Sequence, residues 1–282
     1  MRSLTTIDRI DYLVIGHIAQ DLTPDGPMIG GTAAYAGLTA QALGLRVGVV
    51  TSWGAEIPFN QMGTLAIVNH PAQHSTTFEN IYLPIGRVQT LHHQAGSLRL
   101  ELIPSSWRDA PIVHLGPIAQ EVDPNLAGQF TNSLVGVTPQ GWLRTWDQQG
   151  RVHPTKWATA ESVLKSAQAI LLSVEDVAHD ETQIEEMAAL CPILVITEGA
   201  NGARVYWHGD VRRFQVPQME EKDATGAGDI FAAAFLVQLH KTRDPWEAAR
   251  FANCLAAQSV LRPGLTGVPT QEEIQAALVE VI

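Results

Sequence analysis

One segment of the chain combines small residues, a carboxylate and the start of a long apolar run. It reads KDATGAGDIFAAAFLVQL over 222–239, with Gly226, Ala227 and Gly228 directly before Asp229. Glycines let the backbone turn sharply and approach a ligand closely, and a helix that begins here leaves its first N–H groups without intrahelical acceptors. Together with the positive end of the helix dipole, these N–H groups predict a site for an anion such as phosphate.

The acid beside this anion site needs its own explanation, because like charges repel. A carboxylate at Asp229 is suited to take the proton of a hydroxyl group that attacks a bound phosphoryl group. The alternative is a glycine turn in which Asp229 is only a favourable residue for the first turn of a helix. The segment taken alone leaves both interpretations open.

Other catalytic chemistries find little support in the sequence. The ten histidines form no HExxH pattern or other close ligand pair, and adjacent His92 and His93 point apart on a helix or a strand. Cys191 and Cys254 are far apart in apolar segments, which predicts two buried free thiols. Without a GxxxxGK[ST] or GxGxxG pattern, a Walker-type ATPase and a dinucleotide-binding dehydrogenase are disfavoured.

The composition indicates one α/β domain. The chain has 282 residues, of which 45% are hydrophobic, and no run of eighteen apolar residues that would cross a membrane. Its 29 acidic and 18 basic residues give a net charge of −11, which argues against a nucleic-acid partner. The N-terminal residues lack the layout of a secretory signal, so we expect a cytoplasmic protein.

The order of predicted elements favours a parallel sheet. DYLVIG at 11–16 and RVGVVTSWG at 46–54 are typical of buried strands, and the small residues of 30–45 recur at helical spacing between them. From residue 110 onwards, further apolar strands alternate with amphipathic stretches, which predicts a doubly wound sheet. The last third predicts an antiparallel strand pair followed by helices over 227–239 and 245–260 and from 271 onwards.

Two irregular zones interrupt this alternation. Residues 17–29 are polar and rich in Pro and Gly, and residues 74–96 alternate β-formers with polar residues around a PIG turn. We predict that the two zones meet as a small β lid over the main sheet. The lid is also a candidate surface for a homodimer, and the sequence does not decide between a cover and a dimer clasp.

Four segments together resemble the ribokinase/PfkB carbohydrate kinase family. DATGAGDIFAAAF resembles its C-terminal signature, and VIGHIAQD followed by GGTAAYAGLTAQALG resembles its first strand and Gly-Gly substrate motif. VITEGANGARVY resembles its nucleotide segment, and RFANCLAAQSVLRPGLTGVPT its adenine-side helix and closing loop. The resemblance covers nearly the whole chain and implies a single ribokinase-like domain over 1–282. The fold that it implies is a doubly wound, mostly parallel sheet flanked by helices, with a small β lid.

The resemblance implies ATP as the phosphoryl donor. It makes Asp229 the catalytic base, and it makes the backbone N–H groups of Gly226, Ala227 and Gly228 the anion hole. A further set is implied to contact the nucleotide: Thr197, Gly199, Gly202, Thr225 and Asn253. The structural alternatives are a plain turn between strands for the glycines of this set and a helix-surface position for its asparagine.

On the substrate side, the resemblance makes Asp21 the residue that binds hydroxyl groups. A carboxylate that accepts hydrogen bonds from two hydroxyls fixes a polyol well, and Gly30 and Gly31 would let the backbone approach the substrate. Asp21 has the alternative of a turn residue. Arg87 and Arg144 are further candidate contacts, with solvated surface charges as the alternative.

The sequence departs from the family pattern at two places. Tyr35 stands where the family often has Asn, and a phenol does not reproduce the paired donor and acceptor of an amide. This disfavours ribose-like or fructose-like substrates and suits inositol-like polyols, nucleosides or flatter molecules. The second departure lies in LLSVEDV at 171–177, where Asp176, with Glu175 as the alternative, replaces the acid that organises Mg²⁺.

Two further inferences complete the expected chemistry. Asp223 and the loop 262–267 match the place where some members of the family bind a monovalent cation such as K⁺. The function predicted is an ATP-dependent kinase of a small polyhydroxylated substrate, a sugar, inositol or nucleoside. A non-catalytic PfkB-like protein that binds a ligand and regulates a partner is the alternative, motivated by Tyr35 and the altered 173–176 segment.

Overall fold

The computed structural model of the chain describes residues 9–57, 62–83, 86–216 and 219–279, with only the backbone at 82, 83, 86 and 87. Six α-helices lie within these ranges: α1 Thr32–Ala42, α2 Ala160–Ser166, α3 Glu181–Ala188, α4 Ala227–Thr242, α5 Pro245–Ser259 and α6 Gln271–Leu278. No helix in this part of the chain is both long enough and apolar enough to cross a membrane.

Fifteen strands are found in the same ranges. They are β1 Tyr12–Ile15, β2 Ala19–Thr23, β3 Gly26–Gly30, β4 Val47–Thr51, β5 Ala66–Asn69, β6 Thr77–Leu83, β7 Gly86–His93, β8 Ile112–Leu115, β9 Leu134–Val137, β10 Arg144–Trp146, β11 Val152–Pro154, β12 Ala169–Ser173, β13 Ile193–Thr197, β14 Ala203–Trp207 and β15 Asp210–Phe214. Of these, β10 and β11 form a separate antiparallel pair.

The main sheet of the described chain has the order β15-β14-β13-β12-β9-β8-β1-β4-β5. Strands from β5 through to β13 run parallel, so that Tyr12 of β1 pairs with Val47 on one side and Ile112 on the other. At the end of the sheet, β14 pairs antiparallel with β13, and β15 pairs antiparallel with β14. The predicted fold class, a doubly wound and mostly parallel sheet, is confirmed. The predicted antiparallel pair at its C-terminal end is also found.

Both faces of the sheet are buried, because helices and loops cover each one. On β1, Tyr12 and Val14 pack in the cluster that contains the apolar residues of α1, α4 and α5. Leu13 and Ile15 point the other way, into the cluster that includes residues of α2 and α3. This alternation is the reason that β1 reads as a continuous apolar run in the sequence.

A second, four-stranded sheet has the order β3-β2-β6-β7. The β2–β3 and β6–β7 pairs are antiparallel hairpins, and β2 joins β6 in parallel. The predicted small β layer is therefore confirmed, and it is formed by the two zones around 17–29 and 74–96. The assignment of all 282 residues to one domain stays a prediction.

A buried hydrogen-bond network ties this small sheet to the main one. The Glu121 carboxylate accepts hydrogen bonds from the backbone N–H groups of His17, at 3.1 Å, and Ala119, at 2.7 Å. The His17 ring lies 2.6 Å from the Thr76 hydroxyl and 2.8 Å from the Gly96 carbonyl. Because His17 precedes β2 and Thr76 precedes β6, the network fixes the base of the small sheet over the end of β1.

Candidate active site

The carboxyl ends of the parallel strands, the start of α4 and the small sheet enclose a cavity of about 600 Å³. This is where ligands bind in open parallel sheets. The cavity lining includes most of the residues predicted from the sequence: Asp21, Gly31, Tyr35, Arg144, Glu175, Asp176, Thr197, Gly199, Gly202, Thr225, Gly226, Ala227, Gly228, Asp229 and Asn253. Gly30 and Asp223 lie beside the cavity, and the side chain of Arg87 lies outside the described residues.

Asp229 lies in the first turn of α4. Burial raises the pKa of its carboxyl group to about 6, with smaller upward contributions from the charges of Asp176 and Asp21. A hydrogen bond from Thr32 and the positive charge of Arg144 act in the opposite direction. Asp229 is thus a carboxylate that holds a proton more firmly than an exposed one, yet is ionised at neutral pH, as a general base requires.

The turn before α4 depends on a glycine. Gly226 has φ of 78° in the left-handed region, which favours glycine, and a Cβ atom there would lie 2.3 Å from the ring of Tyr35. The N–H group of Ala227 bonds to the carbonyl of Ala224. The N–H groups of Gly228 and Asp229 belong to the first helical turn, whose donors have no intrahelical acceptor. These two groups are available to an anion.

Gly228 is the open point of this turn. A Cβ atom built at Gly228 has no neighbour within 4 Å, although the residue lines the cavity. A ligand atom can therefore approach the backbone of Gly228 directly. The two glycines differ in purpose: Gly226 is required by the packing of the protein, and Gly228 leaves room for whatever occupies the cavity.

Tyr35 packs against the turn that precedes α4. Its side chain on α1 is only 1% exposed and lies against Gly226, 191 residues away in the sequence. Burial raises the pKa of the Tyr35 phenol, with further upward effects from Asp21, Asp223 and Asp229, so the phenol stays neutral. The departure from the family's Asn thus brings a ring that packs under the anion-binding turn as well as lining the cavity.

Thr32 lines the cavity and was not among the residues predicted from the sequence. Its hydroxyl donates a hydrogen bond of 2.7 Å to Oδ1 of Asp229. The orientation of Thr32 depends on Gly116 at the end of β8, where a Cβ atom would lie 2.4 Å from the threonine methyl group. The only signal in the sequence was the position of Thr32, directly after the Gly-Gly pair.

The floor of the cavity contains a second buried chain of hydrogen bonds. The Tyr12 hydroxyl lies 2.8 Å from Nδ1 of His114, and Nε2 of His114 lies 3.0 Å from the hydroxyl of Thr138, which lines the cavity. Burial lowers the pKa of His114 to about 3, so its imidazole is neutral under ordinary conditions. This chain fixes the Thr138 hydroxyl without bringing a charge under the site.

Beside α5 and the end of β15, the cavity has an apolar part, which we call the apolar slot. It is lined by Val216, Ala256, Ala257 and Val260. Asn253 of α5 is buried, not on the helix surface, and its side-chain amide donates a hydrogen bond of 2.9 Å to the carbonyl of Phe214. The amide thus holds the end of β15 beside the slot.

The acidic segment after β12 forms a capping box. Asp176 accepts a hydrogen bond of 2.9 Å from the backbone N–H of Ser173 and one of 3.3 Å from the side chain of Gln140. Within the described ranges, no group of three or more His, Cys, Asp or Glu side chains is placed to hold a metal ion. Asp176 and Glu175 do line the same cavity as Asp229 and provide carboxylate oxygens there.

Asp223 connects two loops. Its carboxylate accepts hydrogen bonds from the backbone N–H groups of Thr225, at 2.9 Å, and Gly264, at 2.8 Å. These bonds hold the predicted cation-binding loop against the residues that precede α4. The structure therefore gives Asp223 a role in holding these loops together, and cation binding there remains a prediction.

The other end of the cavity lies under the small sheet. Asp21 of β2 lies against Gly30, where a Cβ atom would be 1.9 Å from the Asp21 carboxylate. Arg144 also lines the cavity. Several lining residues here were not predicted from the sequence: Phe78, Asn80, Gln89, Ile118, Thr138 and Gln140. The strands that carry Phe78, Asn80 and Gln89 were predicted, but nothing in their pattern indicated which face would meet a ligand.

These features allow one kind of chemistry in particular. Asp229 can accept a proton, and the N–H groups of Gly228 and Asp229 can hold an anion close to it. The apolar slot and the polar residues under the small sheet line the same cavity as these groups. The arrangement suits transfer of an anionic group from a donor in the slot to a hydroxyl group of an acceptor under the sheet.

Comparisons with known proteins agree with this description. The protein-family model with the description pfkB family carbohydrate kinase matches residues 161–272 of the chain. The cytidine kinase of Thermococcus kodakarensis is 26% identical over 271 residues, which cover 86% of this chain and 92% of that protein.

Solved structures share the fold. A pyrophosphate-dependent kinase of the ribokinase family, complexed with a pyrophosphate analog and myo-inositol, superposes with a TM-score of 0.79 at 20% identity over 95% of this chain and all of that one. The ribokinase of Arabidopsis thaliana, complexed with ribose and ATP, superposes with a TM-score of 0.74 at 16% identity over 96% of this chain and 99% of that one.

Proposed function

This chain belongs to the PfkB family of carbohydrate kinases, and we propose that it transfers the terminal phosphoryl group of ATP to a hydroxyl group of a small polyhydroxylated molecule. The observation that carries the proposal is the position of Asp229, a half-buried carboxylate in the first turn of α4 beside the open face of Gly228. Acceptors named for similar proteins include a nucleoside, ribose and myo-inositol.

The reaction follows from the groups at this point. The acceptor hydroxyl loses its proton to Asp229 while its oxygen attacks the terminal phosphorus atom. The new oxygen–phosphorus bond forms as the bond to the bridging oxygen breaks, and ADP leaves with that oxygen's electron pair. The N–H groups of Gly228 and Asp229 stabilise the charge on the phosphoryl oxygens, which is the main task of a protein in phosphoryl transfer.

The choice of ATP as donor rests on the apolar slot beside α5. A slot lined by Val216, Ala256, Ala257 and Val260 suits the flat, largely apolar face of a purine. Pyrophosphate has no such part and would leave this apolar surface unused. We therefore favour a nucleotide over pyrophosphate, although a protein of similar fold uses the latter.

Mg²⁺ fits the same site. Asp176 and Glu175 provide the oxygen ligands that this ion prefers, and Mg²⁺ at a nucleotide is held by only one or two protein carboxylates together with water and phosphate. When bound, the ion neutralises charge on the transferring phosphates. The small sheet lies over the acceptor end of the cavity, where closure would exclude water as a competing acceptor.

The test is an acceptor screen with the purified chain, Mg²⁺ and ATP. We expect ADP release that depends on the acceptor, and a phosphate monoester that ³¹P NMR detects in the product. A parallel series with pyrophosphate checks the donor. Retained binding of ATP without phosphoryl transfer to any sugar, inositol or nucleoside would contradict the proposal and favour a ligand-binding regulatory protein.

A further inference from the structure

The face of the small sheet that meets the cavity presents side chains in two rows. In the first row, Asp21 of β2 is paired with Phe78 of β6, and in the second, Asn80 of β6 is paired with Gln89 of β7. Phe78 and Asn80 are two residues apart and so point to the same side of the sheet. All four residues line the cavity.

The spacing of the rows sets the length of ligand that can touch both. Two residues along a strand correspond to about 6.6 Å, and neighbouring strands lie about 4.8 Å apart, so the backbones at Asp21 and Asn80 are separated by about 8 Å. A ligand of two linked rings matches this separation more closely than a single six-membered ring does. A ligand of two linked rings reaches from the carboxylate to the amide row.

Phe78 of the first row forms an apolar patch of the cavity wall together with Ile118. Phe78 and Ile118 are both 4% exposed and belong to one hydrophobic cluster with Ala19, Leu91 and Ala119. A ring that carries hydroxyl groups on every carbon would bring some of them against this patch without partners, at a cost in free energy. A flat heteroaromatic ring presents an apolar face to it and keeps its polar atoms at the edge.

The amide row is matched to such an edge. The side-chain amide of Gln89 donates a hydrogen bond of 2.9 Å to the carbonyl of Asn80. The bond leaves the NH₂ group of Asn80 and the carbonyl of Gln89 for other partners, and exchanging the two amide orientations again leaves one NH₂ group and one carbonyl. Adjacent donors and acceptors are what the edge of a nucleobase offers.

We propose that the acceptor is a nucleoside, with its sugar hydroxyls at Asp21, its base on the Phe78–Ile118 patch and the edge of the base on the Asn80–Gln89 pair. This assignment rests on the proposed function, because it names the acceptor of the same reaction. Asn80 and Gln89 then determine specificity and take no part in phosphoryl transfer itself. Their loss should weaken the binding of the base and leave the turnover of the bound complex largely unchanged.

The experiment compares acceptors and variants in the ATP-dependent assay. The four common ribonucleosides, cytidine, uridine, adenosine and guanosine, are compared with ribose, fructose and myo-inositol. For at least one nucleoside we expect a kcat/KM at least 100-fold higher than for any of the single-ring acceptors. Asn80→Leu and the milder Gln89→Ala should each raise the KM for that nucleoside at least tenfold, while the KM for ribose stays within twofold.

The matched control is Glu79→Gln on the other face of β6, where the Glu79 carboxylate contacts His92 at 2.9 Å. It should leave all kinetic constants within twofold. A preference for inositol or a free sugar, or an equal rise in KM for ribose and nucleoside, overturns the nucleoside assignment and leaves the kinase intact. Absence of transfer to every acceptor overturns the proposed function as well.

Discussion

The hydroxyl of Thr32 donates a hydrogen bond of 2.7 Å to Oδ1 of Asp229 and so joins the first turn of α1 to the first turn of α4. These residues are 197 positions apart, and each lies at the start of a helix whose buried side chains pack in the same core cluster. The bond fixes one carboxylate oxygen of the base in a partly buried position. It also stabilises the ionised carboxylate, which burial disfavours.

Thr32→Val should therefore change the pH profile of the reaction. Removing the hydroxyl takes away a hydrogen bond that lowers the pKa of Asp229. We expect the acid limb of kcat/KM to move to higher pH by about one unit, which corresponds to about 1.4 kcal/mol of lost stabilisation of the carboxylate. Thr32→Ser, which keeps the hydroxyl, should retain the wild-type limb, and an unchanged limb in Thr32→Val would refute this role.

The wild-type profile provides a separate test. Asp229 must be ionised to accept a proton, and burial raises its pKa to about 6. The ionised fraction falls below that pH, so kcat/KM should decrease about tenfold per pH unit on the acid side. A rate that stays level down to pH 4.5 would mean that no carboxyl group with a raised pKa takes part.

The two glycines of the anion-binding turn should respond differently to alanine. Gly226→Ala combines a left-handed φ of 78° with a methyl group 2.3 Å from the Tyr35 ring. The free energy of unfolding should therefore fall by about 2 to 4 kcal/mol. Gly228→Ala places its methyl group in open space, so the melting temperature should change little while kcat/KM falls at least 100-fold. Thermal melts and initial rates on both variants test this contrast. Equal stability of the two would contradict the packing described for Gly226.

The roles of Asp176 and Glu175 can be distinguished by how each substitution changes the Mg²⁺ concentration that the reaction needs. Asp176→Asn keeps an oxygen that accepts the Ser173 N–H bond but removes a charge from the cavity. We expect about tenfold more Mg²⁺ to be needed for half-maximal rate, with a smaller effect for Glu175→Gln. The reverse order would assign the metal to Glu175.

The parts of this site that are local in sequence were predictable from it. The segment 226–229 carries its own helix start, turn and acid, so its chemistry could be inferred without a structure. The parallel sheet was predictable for the same reason. A strand buried on both faces leaves a continuous apolar run, and such runs alternate with amphipathic stretches over 110–197.

The relationships between distant residues could not be predicted in this way. Nothing near Tyr35 indicates that its ring packs under Gly226, and nothing near Asn253 indicates that its amide bonds to Phe214. The alternation of 77–93 predicted strands, but only the pairing of β2 with β6 brings Asn80 and Gln89 to the cavity. Long-range packing decides these contacts, and a single sequence does not record it.

Asp229→Asn is the most direct test of the central claim that Asp229 is the base in an ATP-dependent kinase. The change keeps the size of the side chain and removes its ability to take a proton at neutral pH. We predict that kcat falls about 10² to 10⁴-fold, while the Kd for ATP, measured by calorimetry, stays within threefold. Near-wild-type turnover of this variant with ATP and its best acceptor would contradict the account.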